Sequence, residues 1–245
     1  MAGDYPLIVS FDTATKCSSV ALSRGTLSDG EVLACLSLST TVTHSRRLVG
    51  SVDFLFQETG TDWANVEAVA VGLGPGSFTG LRIGMATAKG FAGAGGKKLI
   101  GVPTLDALAA LCLTTIDICV VLDARKKQIY SALYRHEGKD GLQRKNEVRV
   151  LTPEQLVADI QEPTLMVGDG VQTYGDYWKK ELGNLVTFAP AQLHQPSAGA
   201  VGLLGGGLLE KGVCLNVASA TPLYVRASDA ELSLKDKRAS AGETT

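Results

Sequence analysis

A glycine-rich stretch at residues 72–84 constrains the fold more than any other segment of the chain. Alternating apolar residues before it predict a strand over 66–72, and a run of small residues after it predicts a helix over 80–94. A strand, a glycine turn and a helix in that order are typical of α/β proteins that bind phosphate at a helix N-terminus. The segment therefore indicates an α/β chain and raises the question of whether this turn holds an anion.

The spacing inside the turn excludes two common phosphate-binding motifs. No Gly-Lys-Ser/Thr sequence closes it, so it is not a P-loop, and its glycines miss the spacing of a dinucleotide-binding loop. Two interpretations stay open: anion binding, or a tight turn in which Ser77 or Thr79 caps the following helix.

The same order of elements occurs twice along the chain. Each half begins with a strand, a polar turn and a returning strand, and then mixes helices and strands. The defining strands and turns are predicted at 7–11, 12–18, 19–23 and 32–38, and again at 118–122, 123–125, 128–134 and 147–151. This duplicated pattern predicts an α/β fold of the two-lobed actin-like ATPase type, found in actin and in acetate and sugar kinases, with helices flanking a mixed sheet in each lobe. We expect lobes at 1–105 and 106–227 and a disordered tail at 228–245.

An ordered set of motifs resembles one protein family. The turn at 74–84 resembles the signature of the bacterial TsaB (YeaZ) family, which takes part in forming threonylcarbamoyladenosine next to the anticodon of tRNA. Other motifs resemble that family's landmarks in the same order, at 11–15, 101–105, 123–125, 128–130, 168–170 and 222–226. Each motif alone is weak, whereas the ordered set is specific.

The resemblance implies a non-catalytic subunit of a tRNA-modifying assembly. Members of this family are inactive paralogues of TsaD, the subunit that transfers the threonylcarbamoyl group, and they activate TsaD through a helix–helix contact. The resemblance also implies that TsaE joins the larger assembly, that ATP and metal act on the partner subunits, and that this chain requires no cofactor. The net charge of −2 and the short basic pairs such as 126–127, which we interpret as solvated surface, indicate that tRNA is contacted only indirectly.

Residues at the polar turns are candidates for a vestigial nucleotide site in the cleft between the lobes. In active members of this fold the first turn handles phosphate, and a carboxylate positions metal or water. We therefore consider Asp12, Thr13, Asp123 and Gly168 as the nucleotide-binding candidates. The simpler interpretation is that Asp12 and Asp123 accept hydrogen bonds from local backbone N–H groups and cap tight turns. If the site is intact, the alternative function is an ATP-dependent small-molecule kinase or ATPase.

The sequence assigns no catalytic residue and no metal ligand. TsaD binds metal through a His-x-x-x-His pair, whereas the three histidines here (His44, His136 and His194) are widely separated. A Gly-x-Ser-x-Gly motif is also absent, so Ser77 is a poor nucleophile. A metal-dependent peptidase is therefore disfavoured.

Small residues recur every four positions in the helix predicted over 80–94. The ridge of Gly80, Gly84, Ala88 and Ala92 would let another helix approach closely. It packs either against the helix predicted over 44–59 in the same chain or, with that helix, against a partner. The second interpretation, which the resemblance supports, predicts an interface with TsaD or with a second copy of the chain; its candidate residues are Arg47, Val49, Gly80, Arg82, Gly84, Ala88 and Lys89.

Composition indicates a soluble, cytoplasmic protein. The five cysteines are odd in number and include no Cys-x-x-Cys pair, so we expect free thiols, with Cys35, Cys112 and Cys119 in apolar runs and mostly buried. No secretory leader and no membrane-spanning segment is predicted.

Overall fold

The computed structural model describes residues 5–39, 45–137 and 141–225, and the side chains of 45–47 are not among the described atoms. The predicted tail at 228–245 and His44 lie outside the described residues.

Each half of the chain forms one mixed sheet with helices. The elements of the first half are β1 (Leu7–Asp12), β2 (Cys17–Arg24), β3 (Glu31–Ser39), α1 (Ser45–Thr59), β4 (Val66–Gly72), α2 (Phe78–Gly95), β5 (Lys98–Val102) and α3 (Thr104–Ala110). The elements of the second half are β6 (Asp117–Arg125), β7 (Gln128–His136), β8 (Leu142–Arg144), β9 (Arg149–Leu151), α4 (Pro153–Asp159), β10 (Thr164–Val167), α5 (Gly170–Leu182), β11 (Val186–Phe188) and α6 (Ala198–Glu210).

The two sheets share one topology, which confirms the predicted duplication. The first has the order β3-β2-β1-β4-β5, and the second has the matching order β8-β7-β6-β10-β11, with β9 paired to β7. In both, the first three strands are antiparallel and the last two run parallel to the first strand. The predicted two-lobed actin-like α/β fold is therefore confirmed.

Helices cover both faces of the first sheet, so its central strands are apolar on both sides. Helices α1 and α2 bury Leu48 and Met85 against Phe11 on one face. Helix α6 buries Val201 against Ile100 on the other face. This double burial explains why β1 is buried along its whole length and has apolar residues on both faces.

The last helix of each half packs across the boundary predicted near residue 105. Helix α3 places Leu105 and Leu108 in the core of the second sheet. Helix α6 returns to the first sheet, where the Ser10 hydroxyl donates to the Ala198 carbonyl at 2.7 Å. The expected lobe at 106–227 is corrected accordingly, because α6 and the segment after it pack on the first lobe. The glycines of α6 permit this contact, since a side chain at Gly206 would collide with the Gly25 carbonyl.

The cysteine prediction holds in part. Cys112 and Cys119 are buried, but Cys35 is exposed on β3, an edge strand whose outer residues alternate toward solvent. Within the described residues, none of the helices has the length and apolar character needed to cross a membrane.

Candidate functional site

The glycine turn packs backbone against backbone on the turn that follows β1. The Ser77 N–H donates to the Ala14 carbonyl at 2.6 Å, and a side chain at Gly76 would collide with that same carbonyl. The Ser77 hydroxyl accepts from the Gly80 N–H at 3.3 Å and caps α2. The capping interpretation is therefore confirmed, and Gly76 serves the close approach of two loops.

Asp12 and Thr13 do not reach the cleft, which corrects their assignment as nucleotide-binding residues. Asp12 is fully buried and accepts from the Ala14 N–H and from the Thr104 hydroxyl, each at 2.9 Å. The buried Thr13 hydroxyl donates to the Gly80 carbonyl at 2.8 Å. Both side chains therefore bond β1 to the elements beside it, and Asp12 is the turn cap that the simpler interpretation described.

Burial raises the pKa of Asp12 to about 6, although the hydrogen bonds from Ala14 and Thr104 oppose that shift. Because the folded pKa exceeds the unfolded value of about 3.9, the native state binds the extra proton, and ionisation lowers stability by up to about 3 kcal/mol as pH rises from 4 to 6. Asp12→Asn keeps an acceptor for the Ala14 N–H and cannot ionise. We expect its free energy of unfolding, relative to the wild type, to increase between pH 4 and 7 in urea titrations. A difference that stays constant across this range would contradict a raised pKa.

The cleft between the lobes has a volume of about 440 Å³ and contains charges of both signs. Its lining residues are Ala14, Thr15, Lys16, Gly76, Ser77, Phe78, Thr79, Leu122, Asp123, Ala124, Arg125, Tyr130 and Asp169. Of the four nucleotide-binding candidates, Asp123 alone lies among them. Gly168 does not line the cleft; its φ is 115°, and its N–H donates to His194 Nδ1 at 3.3 Å.

Asp169 is the cleft carboxylate that the sequence reasoning missed. Burial raises its pKa to about 6, the neighbouring Asp123 charge adds to the shift, and Lys16 and Arg125 oppose it. Its Oδ1 accepts from the Asp123 N–H at 2.9 Å. A signal was available, because Asp169 comes two residues after β10, the strand equivalent to β4 in the first half.

Three backbone N–H groups beside the cleft are already used within the chain. A phosphate-binding turn offers free backbone N–H groups, but the Ala14 N–H is bound by Asp12, the Cys17 N–H by the Thr15 hydroxyl and the Ser77 N–H by Ala14. The described residues also contain no group of three His, Cys, Asp or Glu side chains that could hold a metal. Lys16 and Arg125 lie close enough to Asp169 for their charges to lower its pKa.

The turn predicted at 123–125 lies two residues later than expected. Asp123 and Arg125 belong to β6, and the turn residues Lys126 and Lys127 have φ values of 52° and 57°. The φ of Arg125 is 61°, so three consecutive residues with side chains adopt the left-handed conformation. Such residues cost roughly 1–2 kcal/mol each, and the hairpin tolerates them because its turn type requires positive φ.

Replacing Lys127 with glycine should raise the free energy of unfolding by about 0.5–1 kcal/mol, because glycine adopts this conformation without strain. Lys127→Ala is the matched control, since it removes the same side chain and keeps the strain. Chemical unfolding of both variants measures the difference, and equal stabilities would show that the backbone is not strained there.

The small-residue ridge of α2 faces the interior of its own chain. Gly80, Gly84 and Ala88 are buried, and a side chain at either glycine would collide with Thr13. Their prediction as partner-interface residues is therefore wrong. The alternative of packing within the chain is right, although the contact is with the end of β1 rather than with α1.

A second run of small residues covers the exposed face of α2. Ala86, Gly90, Gly93 and Ala94 are exposed, and a Cβ at Gly90 would meet no atom within 4 Å. Beside them an apolar groove of about 670 Å³ lies between α1 and α2. It is lined by Val49, Asp53, Phe56, Trp63, Thr87, Gly90, Phe91 and Ala94.

Aromatic rings form the floor of this groove. The ring of Trp63 lies 5.2 Å from that of Phe91 and 6.3 Å from that of Phe56. Val49, a predicted interface residue, lines the groove and is 50% exposed. The sequence reasoning missed these aromatic residues, since the spacing of Phe56 and Phe91 on their helices also fits an ordinary core and Trp63 lies in the short segment between α1 and β4.

The predicted rim cations contact a C-terminal strap, which we define as residues 214–225. Lys89 donates to the Ala218 and Ala220 carbonyls at 2.8 and 3.3 Å. Arg82 donates through Nε to the Tyr224 hydroxyl at 3.1 Å. The strap itself bonds to the first lobe through Leu215 and Leu223. The side chain of Arg47 lies outside the described residues.

Comparisons with known proteins decide the family. The family model described as "TsaD: tRNA N6-adenosine threonylcarbamoyltransferase" matches residues 38–234. The tRNA threonylcarbamoyladenosine biosynthesis protein TsaB of Escherichia coli K12 is 31% identical over 226 residues, and the match covers 89% of this chain and 94% of that protein. The chain belongs to the TsaB family. The TsaB protein of Bacillus subtilis 168 is 27% identical over 91% of this chain and 96% of its own length.

Solved structures of TsaB relatives have the same fold. A Pseudomonas aeruginosa protein described as similar to the peptidase YeaZ superposes with a TM-score of 0.74 at 26% identity, covering 90% of this chain and all of that one. YeaZ of the same organism gives a TM-score of 0.73 at 26% identity, covering 89% of this chain and 99% of that one. The resemblance to the TsaB (YeaZ) family is thus confirmed.

Proposed function

We propose that this chain takes part in forming threonylcarbamoyladenosine in tRNA as a non-catalytic partner that binds and activates a TsaD-type transferase. The observation that carries the proposal is the exposed apolar groove between α1 and α2, bordered by the small residues of α2. The proposed role in forming threonylcarbamoyladenosine rests on the names of the TsaB relatives.

The groove is suited to receive a helix. An exposed apolar surface with aromatic rings at its floor is typical of a protein–protein interaction site. Glycine and alanine on the rim allow a second helix to approach α2 to an interaxial distance of about 8–10 Å, which is typical of packed helices. The groove contains one charged side chain, Asp53, so its occupant presents a mainly apolar face.

The cleft supports a non-catalytic role. Three backbone N–H groups beside it are used within the chain, and Lys16 and Arg125 act on Asp169, so these groups do not favour the kinase or ATPase alternative. His136 bonds to the Cys112 carbonyl and His194 accepts from the Gly168 N–H, so both rings are engaged in contacts within the chain. In this proposal ATP and metal act on the partner subunits.

The same groove would pair two copies of this chain when the transferase is absent. Self-association and transferase binding should then compete. TsaE would join the larger assembly, and the tRNA would be held mainly by the other subunits, in keeping with the net charge of −2.

Association measurements test this proposal. The purified chain is mixed with the TsaD-type transferase of the same organism, and mass is followed by light scattering after gel filtration. The expected result is a 1:1 complex that forms at the expense of any homodimer. A mixture that elutes as two separate proteins at micromolar concentration would contradict the proposal.

A further inference from the structure

We propose that Arg82 is a preformed receptor for a carboxylate that the transferase presents on its docking helix. This inference rests on the proposed function and specifies one charged contact on the same surface.

Two aromatic side chains hold the Arg82 guanidinium in place. Its central carbon lies 3.8 Å from the centroid of the Phe78 ring, and its Nε donates to the Tyr224 hydroxyl. The Phe78 and Tyr224 rings are 5.2 Å apart, so the three side chains form one cluster. A guanidinium fixed in advance loses less conformational entropy on binding than a free arginine would.

The outer edge of the same guanidinium is available to a ligand. Arg82 is exposed, and its two Nη groups have no hydrogen-bond or ion-pair partner among the described residues. By contrast, the Lys89 ammonium is bound by two strap carbonyls. Two parallel N–H groups at the end of a guanidinium match the two oxygens of a carboxylate.

The position of Arg82 on α2 favours a protein carboxylate over an RNA phosphate. Arg82, Ala86 and Gly90 are spaced four residues apart on the exposed face. At a rise of about 1.5 Å per residue, Arg82 lies about 12 Å along the axis from Gly90, or about two helical turns. A partner helix that packs along α2 and contacts it near Gly90 would therefore place an Asp or Glu beside Arg82, seven or eight residues along the partner helix from that contact.

Calorimetric titration of the full chain with the TsaD-type transferase, at low and high salt, tests this inference. Arg82→Met should weaken binding about 30-fold and reduce its salt dependence, since a desolvated ion pair is lost. Arg82→Lys keeps the charge without the fork and should weaken binding about 10-fold. Thermal unfolding of the isolated variants should stay close to that of the wild type, because the guanidinium is exposed.

Distinct results separate failure of this inference from failure of the proposed function. If the wild type does not bind the transferase, the proposed function fails. If the wild type binds and Arg82→Met binds equally well, the receptor role is wrong. Tyr224→Phe removes the hydroxyl that accepts from Arg82 Nε, and the rate of proteolysis within the strap measures how firmly the strap is held. If Arg82→Met and Tyr224→Phe loosen the strap equally and lose the same affinity, Arg82 only fastens the strap and the inference is overturned. A loss of affinity that is seen only when tRNA is present would also overturn the inference, since Arg82 would then bind an RNA phosphate.

Discussion

Replacing Gly90 with arginine should weaken binding to the TsaD-type transferase by at least about 100-fold, because a bulky charge would enter the contact between two packed helices without a partner. A side chain at Gly90 points into open space in the isolated chain, so the variant should fold normally. Calorimetry measures the affinity, and circular dichroism checks the fold.

The matched control is Gly207→Arg in α6. Gly207 also lies in a helix with no atom within 4 Å of an added Cβ, but on the opposite face of the first sheet. We expect this variant to bind like the wild type. If Gly90→Arg binds as tightly as Gly207→Arg, the exposed face of α2 is not the docking surface.

The same substitution at two glycines of α2 should have effects of opposite sign. Gly80→Ala should lower the free energy of unfolding by about 3 kcal/mol, because the new methyl group would collide with the Thr13 carbonyl, a backbone atom that cannot turn away. Gly90→Ala should raise it by about 0.5–1 kcal/mol, since alanine is the better helix former and meets nothing. Urea unfolding of both variants measures the two changes.

This pair distinguishes the buried face of α2 from its exposed face. Gly90→Ala is the control for Gly80→Ala, because it measures the general effect of replacing glycine with alanine in this helix. Stabilisation by alanine at both positions would mean that Gly80 is not packed against β1, and the assignment of the two faces would then be wrong.

The sequence predicted the helix that carries the proposed docking surface, but it assigned the buried face of that helix to the interface. Small residues recur every four positions at Gly80, Gly84 and Ala88, and again at Ala86, Gly90 and Ala94. Glycine and alanine differ little in apolar character, so hydrophobic patterning does not tell which run meets the sheet. The decision depends on Thr13, a residue far away in sequence that closes over Gly80 and Gly84.

The strands were predictable because their patterns are local. β4 begins and ends where the sequence indicated, since it is a short apolar run that leads directly into the glycine turn. β8 and β11 were not predicted, because each has three residues and depends on its sheet neighbour.

The cleft was predictable in position but not in its residues. Asp12 and Asp123 both accept from the backbone N–H two residues ahead, so both cap their turns as the simpler interpretation predicted. They differ in their other contacts, which the sequence does not give: Asp12 bonds to the buried Thr104 hydroxyl, whereas Asp123 lines the cleft beside Asp169. The packing of α6 on the first lobe was likewise not predictable from the sequence. The glycines of α6 are required there because Ser23 and Gly25 lie directly against them, and this contact is known only from the folded structure.

The most direct test is reconstituted modification of tRNA. The TsaD-type transferase, TsaE, the synthase TsaC, ATP, threonine, bicarbonate and unmodified tRNA are combined with and without this chain, and threonylcarbamoyladenosine is measured by mass spectrometry. We predict product only when the chain is present, normal product with Gly207→Arg, and little product with Gly90→Arg. Full product without the chain would contradict its role as the activating partner.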